Sequence, residues 1–520
     1  MEHAKQYNKL RAFLSQEPKV DRIDIYNYSV GNFEPILIHE LAVNTLIVLE
    51  NEKKNNILSA GVDINCRIII EIAALIKAGR ESKLSDVQKK LFLLNFLSND
   101  VKKASESSVV EEISSILNKS YNRVVSEYMS ILNIDKEQAE AIIEDRESYL
   151  KYGSEKPYNK INILVKDILG DKYVLARELL NVYIHPSSLG NNTDKSKTKI
   201  EGTRMQAINA ALKLSDELIP NANTGSYSKS VVDEEFLDET TVQQIDEIKE
   251  QFKVTFKFDP YDEDWKDTRL EDPLTRRVMV FNFRKLRDML IDLLICESLG
   301  YRRHIIAKCK SFIEMAAMIT KMNEAENIDQ FAEDFTDATR VSIMRKYVYD
   351  ALKKVEHNCP IKDKKEKRNL EAYLEFIEEF YLRRNPEGDL SSEHYQEFKN
   401  GVIENPVYFV ENSVKTGFRK LVYESVNRYI KNEKVRRQLL SDYENSLRID
   451  HANAYHNQFN EVKSFSLIPN LIDYMLVAYD VAYSFEVEEF INYFKNFNQE
   501  YRQKNLDKHN EQIGQIYRKY

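Results

Sequence analysis

The sequence predicts an all-α protein of two tandemly duplicated helical-bundle domains, with a small β element in the segment that joins them. Three observations carry this expectation. Gly (13) and Pro (11) in 520 residues lie far below the average usage of about 7% and 5%, so helix breakers are scarce. Apolar residues recur at helical spacing through most of the chain, the pattern of helices that bury one face. The chain also repeats itself. Cys66-Arg67-Ile68-Ile69-Ile70-Glu71-Ile72-Ala73-Ala74-Leu75-Ile76 returns 243 positions later as Cys309-Lys310-Ser311-Phe312-Ile313-Glu314-Met315-Ala316-Ala317-Met318-Ile319. A second segment, Arg177 to His185, returns 266 positions later as Tyr443 to His451. Two matched segments in the same order point to duplication, the second copy carrying 23 more residues between its markers.

The elements follow in order. Ile23-Asp24-Ile25-Tyr26 reads as a strand-like lead-in, and helical periodicity starts near Pro35, a residue suited to a first helical turn. Ile36, Ile38, Leu41, Thr45 and Val48 give that helix its apolar side through Glu50. The run 56–77 is apolar nearly all round and predicts the central helix of its bundle. Amphipathic helices are expected at 85–98, 108–131 and 135–150, then, past the Gly153-to-Pro157 loop, at 159–169, 172–185 and 203–218. Residues 221–275 form an acidic connector in which Phe252, Val254, Phe256 and Phe258 alternate with polar residues, the period-2 signature of a half-buried strand. The expected organisation is a first unit over 1–220, the connector over 221–275, a second and degenerate unit over 276–500, and a polar tail over 501–520.

Composition narrows the function classes. A formal charge of −9 gives no global attraction for phosphate backbones, so a nucleic-acid site would have to be a local basic patch. The most positive short stretch is Lys362-Asp363-Lys364-Lys365-Glu366-Lys367-Arg368, which reads either as a solvated loop and helix face or as a phosphate-contacting patch. Four cysteines without C-x-x-C spacing argue against a disulfide framework or a zinc site and for a reducing compartment. The N-terminus lacks the apolar core of a signal peptide, and no long uncharged apolar run stands out. The expectation is a cytoplasmic protein with no membrane partner. Phosphate loops, H-E-x-x-H, G-x-S-x-G and dinucleotide fingerprints are all missing from the sequence, and no cofactor is expected.

Two constellations remain. Arg67 and Glu71 stand four apart, hence on one helix face, inside one of the most apolar segments. A buried charge needs a partner, so they read either as a mutual ion pair that fixes register, repeated by Lys310 and Glu314, or as the wall of a polar cavity. His185 ends a helical run before Pro186, where the negative end of the helix dipole favours its charged form. It reads either as a cap or as an acid–base group beside Arg67, Glu71 and Arg177. In the second unit His451 holds the matching place, with Arg448 and Asp450 close by and His456 five residues on. No set of ligands at a recognised spacing accompanies them, so no metal is expected.

Arg67-x-x-x-Glu71, followed by Leu179-Leu180-Asn181-Val182-Tyr183-Ile184-His185-Pro186-Ser187, resembles an all-helical bacterial family that pairs an Arg-x-x-x-Glu helix with a later helix ending in His-Pro-Ser. That family is similar to the HEPN superfamily of helical bundles, which includes RNA-cleaving toxins and phage-defence effectors. The resemblance implies a protein that binds or cleaves RNA without a metal, in toxin or anti-phage defence, with RNA or a protein encoded alongside it as partner. It assigns His185 as acid or base, Arg67 and Arg177 as phosphate-binding and Glu71 as orienting, with His451, Arg448, Lys310 and Glu314 as an altered second site. HEPN nucleases separate their Arg and His by four to six residues. Here seven lie between Arg177 and His185, and Tyr443 replaces the arginine in the second unit. The alternative reading is a non-catalytic interaction protein offering a groove to a protein partner or small ligand.

Overall fold

Twenty helices account for nearly all of what the computed structural model describes, namely residues 4–16, 29–55, 59–95, 111–145, 147–154, 157–184, 196–220, 237–256, 272–300, 302–404, 418–446, 467–482 and 488–519. The first half contains α1 (Ala4–Gln16), α2 (Phe33–Asn55), α3 (Ala60–Arg80), α4 (86–95), α5 (Glu111–Leu132), α6 (Lys136–Glu144), α7 (Ser148–Lys151), α8 (Ile161–Leu169), α9 (Asp171–Ile184) and α10 (Ser196–Leu218). After α11 (Glu239–Phe256) come α12 (Pro273–Ser298), α13 (Arg302–Glu324), α14 (Ile328–Glu356), α15 (Lys364–Arg384), α16 (Glu393–Glu404), α17 (Phe418–Tyr429), α18 (Glu433–Ser446), α19 (Leu467–Ala482) and α20 (Glu488–Lys519).

Helix α3 is central because its sequence leaves it no polar face. Every residue from Ala60 to Ile76 is buried, so it must be surrounded. Its ends are locally specified: the Ser59 hydroxyl accepts from the Val62 amide at 3.1 Å, Asp63 lies in the first turn, and Lys77 and Arg80 lie in the last, matching the dipole. Around α3 pack α2, α8, α9 and α10. In the second half α13 is surrounded by α12, α17, α18 and α19. The order is the same in both halves: a helix before the central one, an insertion, then three helices that close over it. The insertion is α4–α7 in the first half and α14–α16 in the second. The halves meet where α12 packs on α2 and α3, α13 on α3, and α14 on α9, and one contiguous apolar cluster runs from Leu10 to Tyr501. A separate small core, with Val348, Ala351, Tyr373, Ile377, Tyr381 and Phe398 among its members, belongs to α14–α16.

Most expected helices stand within a few residues of the positions read from the sequence. The helix expected at 135–150 is divided by an extended residue, Asp145. The strand is corrected. Residues 252–256 belong to α11, and no strand occurs among the described residues. The four-residue alternation around Phe252 sits inside a longer pattern, Thr241, Ile245, Ile248 and Phe252, all buried, and those spacings of four, three and four trace one helical face. Tertiary packing then locks it: Phe252 meets the rings of Phe490 at 5.0 Å, Tyr479 at 5.8 Å and Phe494 at 5.9 Å. Phe258 and Ile23 to Tyr26 lie outside the described residues. The stretch Val30–Lys53 is long and apolar enough by length and composition to cross a membrane, yet 72% of its most apolar window is buried within the protein.

Gly61 marks a close approach between the halves. A Cβ there would lie 1.6 Å from Oδ2 of Asp292 on α12 and 3.1 Å from Cδ of Lys308 on α13. Alanine in a helix interior ordinarily stabilises by about 1 kcal/mol over glycine. Gly61→Ala should instead lower the unfolding free energy by about 1–3 kcal/mol, the usual cost of overpacking, measured by urea denaturation.

Candidate functional site

The candidate residues on α3 and α9 come together. Glu71 (1% exposed) accepts from Nε of Arg177 at 2.7 Å, and Nη2 of Arg177 closes the ion pair at 2.7 Å. The remaining face of that guanidinium is also engaged: Nη1 donates to Oδ1 of Asn162 on α8 at 2.6 Å and to Glu178 at 3.2 Å. Asn162 in turn donates to Glu178 at 2.8 Å. Arg67, also buried, donates from Nη1 to Oδ1 of Asn181, one turn beyond Arg177, at 2.8 Å. Two charged side chains of α3 are thus held by two residues four apart on α9, which fixes how the helices pair along their length. Burial, then the charge of Glu71, pushes the Tyr149 hydroxyl well above the usual phenol range. Its ring is therefore a neutral wall.

The second half makes the corresponding contact with different chemistry. The Tyr443 hydroxyl on α18 donates to Oε1 of Glu314 on α13 at 3.0 Å. Burial, then Glu314, pushes that hydroxyl far above the usual phenol range, so it stays protonated and donates. Lys310 is half-buried on the same helix. Three candidates, His185, Arg448 and His451, lie outside the described residues, as do Asp450 and His456. The last described residue of α9 is Ile184.

The sequence reading missed a second polar cluster, at the seam between the halves. Arg204 on α10 donates from Nε to Asp63 of α3 at 3.0 Å and lies over the Tyr183 ring at 4.4 Å. Lys285 of α12 stands in the same electrostatic neighbourhood: burial first, then repulsion by Arg204, hold its ammonium down at about 7, against a smaller pull from Asp63. Nearby, Lys308 donates to Oδ1 of Asp292 at 2.7 Å and to Sγ of Cys296 at 3.2 Å, all three side chains fully buried. Asn51 of α2 donates to the same carboxylate at 2.6 Å, and the Cys296 thiol is pushed up to about 12 by burial. Signals for these residues existed. Asp63, Arg67 and Glu71 are spaced by four along one helix, and Asp292 is a lone charge within Leu290-Ile291-Asp292-Leu293-Leu294.

The chain matches no protein-family model, no curated protein and no solved structure. Among the described residues, no group of three or more His, Cys, Asp or Glu side chains is placed to hold a metal ion. Chemically, the α3–α9 network offers carboxylate and guanidinium groups already bonded to each other inside the protein, an arrangement suited to fixing helices.

Substitutions rank the two anchors. Arg177→Met takes from the buried Glu71 carboxylate the guanidinium that faces it from α9, and should cost about 3–5 kcal/mol. Tyr443→Phe removes one hydrogen bond to Glu314 and should cost about 1.5–3 kcal/mol. Paired urea melts test the order; Tyr443→Phe costing as much as Arg177→Met would contradict it. Lys285 sets a pH dependence. Its folded-state pKa is depressed, so between about 7 and the unfolded value near 10.4 the unfolded chain binds more protons and stability rises with pH. From pH 7 to 9 the native protein should gain on the order of 2 kcal/mol relative to Lys285→Met, read from urea midpoints at both pH values.

Proposed function

We propose that this chain is a non-catalytic interaction protein, a rigid double-bundle frame whose halves descend from one ancestral bundle. The supporting observation is the pair of anchors. Glu71 is held by Arg177 in one half, and Glu314 is held by Tyr443 in the other. What the two positions share is a donor to a buried glutamate. A tyrosine hydroxyl cannot supply the positive charge that a developing phosphorane demands, so the common role is packing. The burial of Arg177, with donors on Glu71, Asn162 and Glu178, also favours a structural duty, since a phosphate-gripping arginine needs free donors facing the substrate.

Metal-independent RNA cleavage of the HEPN kind is the competing reading and makes the opposite demand on Arg177. The test is a cleavage assay on single-stranded RNA with the purified chain and with Arg177→Tyr, which copies the second half's solution into the first. The interaction reading expects no cleavage by either protein, and a smaller loss of stability for Arg177→Tyr than for Arg177→Met. Cleavage that vanishes in His185→Ala or Arg177→Tyr, with the fold intact by circular dichroism, would overturn it.

A further inference from the structure

The insertion in the second half ends in a turn whose exposed surface combines apolar and basic side chains. Helix α14 leaves the main core at Phe335 and continues to Glu356. Val355 therefore stands about 30 Å from Phe335 along the axis, at 1.5 Å per residue. The chain turns there and returns as α15. The turn is tightly built: the amide of His357 donates to the Lys353 carbonyl at 3.0 Å and that of Asn358 to Val355 at 3.0 Å, with Asn358 in the left-handed region at φ 54°. On the return, the Asp363 carboxylate accepts from the Lys365 and Glu366 amides at 2.7 and 3.2 Å, and Lys354 grips Glu366 at 2.7 Å.

This rigid turn has an apolar apex inside a basic collar. Val355 is 55% exposed, Cys359 and Pro360 are exposed and Ile361 is half-buried. Around them Lys353, Lys362, Lys364, Lys365, Lys367 and Arg368 are exposed. Residues 353–368 carry seven basic and three acidic side chains, a net +4 in a chain of −9, so the remainder carries −13. Further along α15 the sign reverses at Glu371, Glu375, Glu378 and Glu379. The charge is therefore segregated along the hairpin, and an anionic plane would attract its tip and repel its base.

We propose that the α14–α15 turn is a docking tip for an anionic lipid surface. Val355, Cys359 and Pro360 enter the headgroup layer while the collar pairs with lipid phosphates. The apex favours a lipid surface over a nucleic acid: small aliphatic groups gain by leaving water, whereas single-stranded bases call for ring faces at the contact, and the exposed rings of Tyr347 and Tyr349 lie about two turns back along α14, with Lys353 over Tyr349 at 4.7 Å. Lysines beside such a surface act additively over a Debye length. The proposal gives the interaction protein a partner class and depends on none of the buried anchors, so the vesicle and cleavage assays fail separately.

Cys359 is the one exposed cysteine, Cys66, Cys296 and Cys309 being buried. The full-length chain can therefore be labelled at the apex with a polarity-sensitive thiol fluorophore and mixed with vesicles of phosphatidylcholine, with or without phosphatidylglycerol. Co-sedimentation and a blue shift are expected with the anionic vesicles alone, both lost in high salt. K364E/K365E should weaken binding on the order of tenfold or more, and Val355→Asp should abolish the blue shift. Unlabelled protein sedimented in parallel controls for the dye. Binding unchanged by K364E/K365E, sedimentation without a blue shift, or tip-dependent binding to a single-stranded oligonucleotide with none to anionic vesicles would each overturn the proposal.

Discussion

A carboxylate lies near the middle of each half's central helix, α3 or α13, and the bundle is arranged around satisfying it. Glu71 and Glu314 are each 1% exposed. Burying either carboxylate is costly without a close donor, and in each half one donor comes from a helix packed across the core, α9 or α18. Apolar surfaces alone would tolerate several alignments of α3 against its neighbours, because hydrophobic contact is non-directional. A buried donor and acceptor tolerate far fewer. Since α3 also touches α2, α8 and α10, fixing α9 on α3 restricts the remaining packing as well. Arginine brings charge, further donors and a bridge to Asn162 on α8; tyrosine brings one donor and a ring that fills the core. The two halves meet one demand with different chemistry.

The seam between the halves extends the same logic. Asp292 of α12 is reached by Lys308 from α13 and by Asn51 from α2, and Gly61 lets α3 approach it closely enough that no side chain would fit. Four helices from both halves therefore converge on one carboxylate. Replacing such a cluster by apolar residues often preserves or raises stability. Lys308 stays beside Asp292 within the second half however the halves dock, so the specificity lies in the Asn51 bond and the close fit against Gly61, which a slipped docking would lose.

The sequence shows the frame more clearly than the partners. Helices α3 and α13 were legible because their apolar content and shared pattern are local properties of consecutive residues. The strand expected at Phe252 failed because alternation over a few residues cannot outweigh Thr241, Ile245, Ile248 and Phe252, which share a helical face and meet an aromatic cluster supplied by α12, α19 and α20. Spacing correctly marked Arg67 and Glu71 as neighbours on one face, but spacing along one helix does not say which facing helix completes them. The partners shown here, Asn181 and Arg177, lie more than 100 positions away. Arg177 was singled out for its place beside His185, yet its observed bonds are those of a strut. The Asp292 cluster was missed for a related reason: its helices are brought together by tertiary contact, and only the lone charge in an apolar run hinted at it.

Both halves accept their insertions at the same point, between the central helix and the first of the three helices that close over it. That site is permissive because the inserted chain leaves and re-enters beside the core without interrupting the buried anchors. The two inserted segments differ in kind. Helices α4–α7 contribute Leu91, Phe92, Tyr128, Ile143 and Tyr149 to the common apolar cluster, so they belong to the frame. Helices α14–α16 have their own small core around Tyr373 and Tyr381, which frees the far end of the hairpin from any packing duty toward the rest of the molecule. A surface released in this way can gather lysines that would be costly near the core. The segregated charge of residues 353–368 therefore sits on a part of the chain that the common apolar cluster does not use.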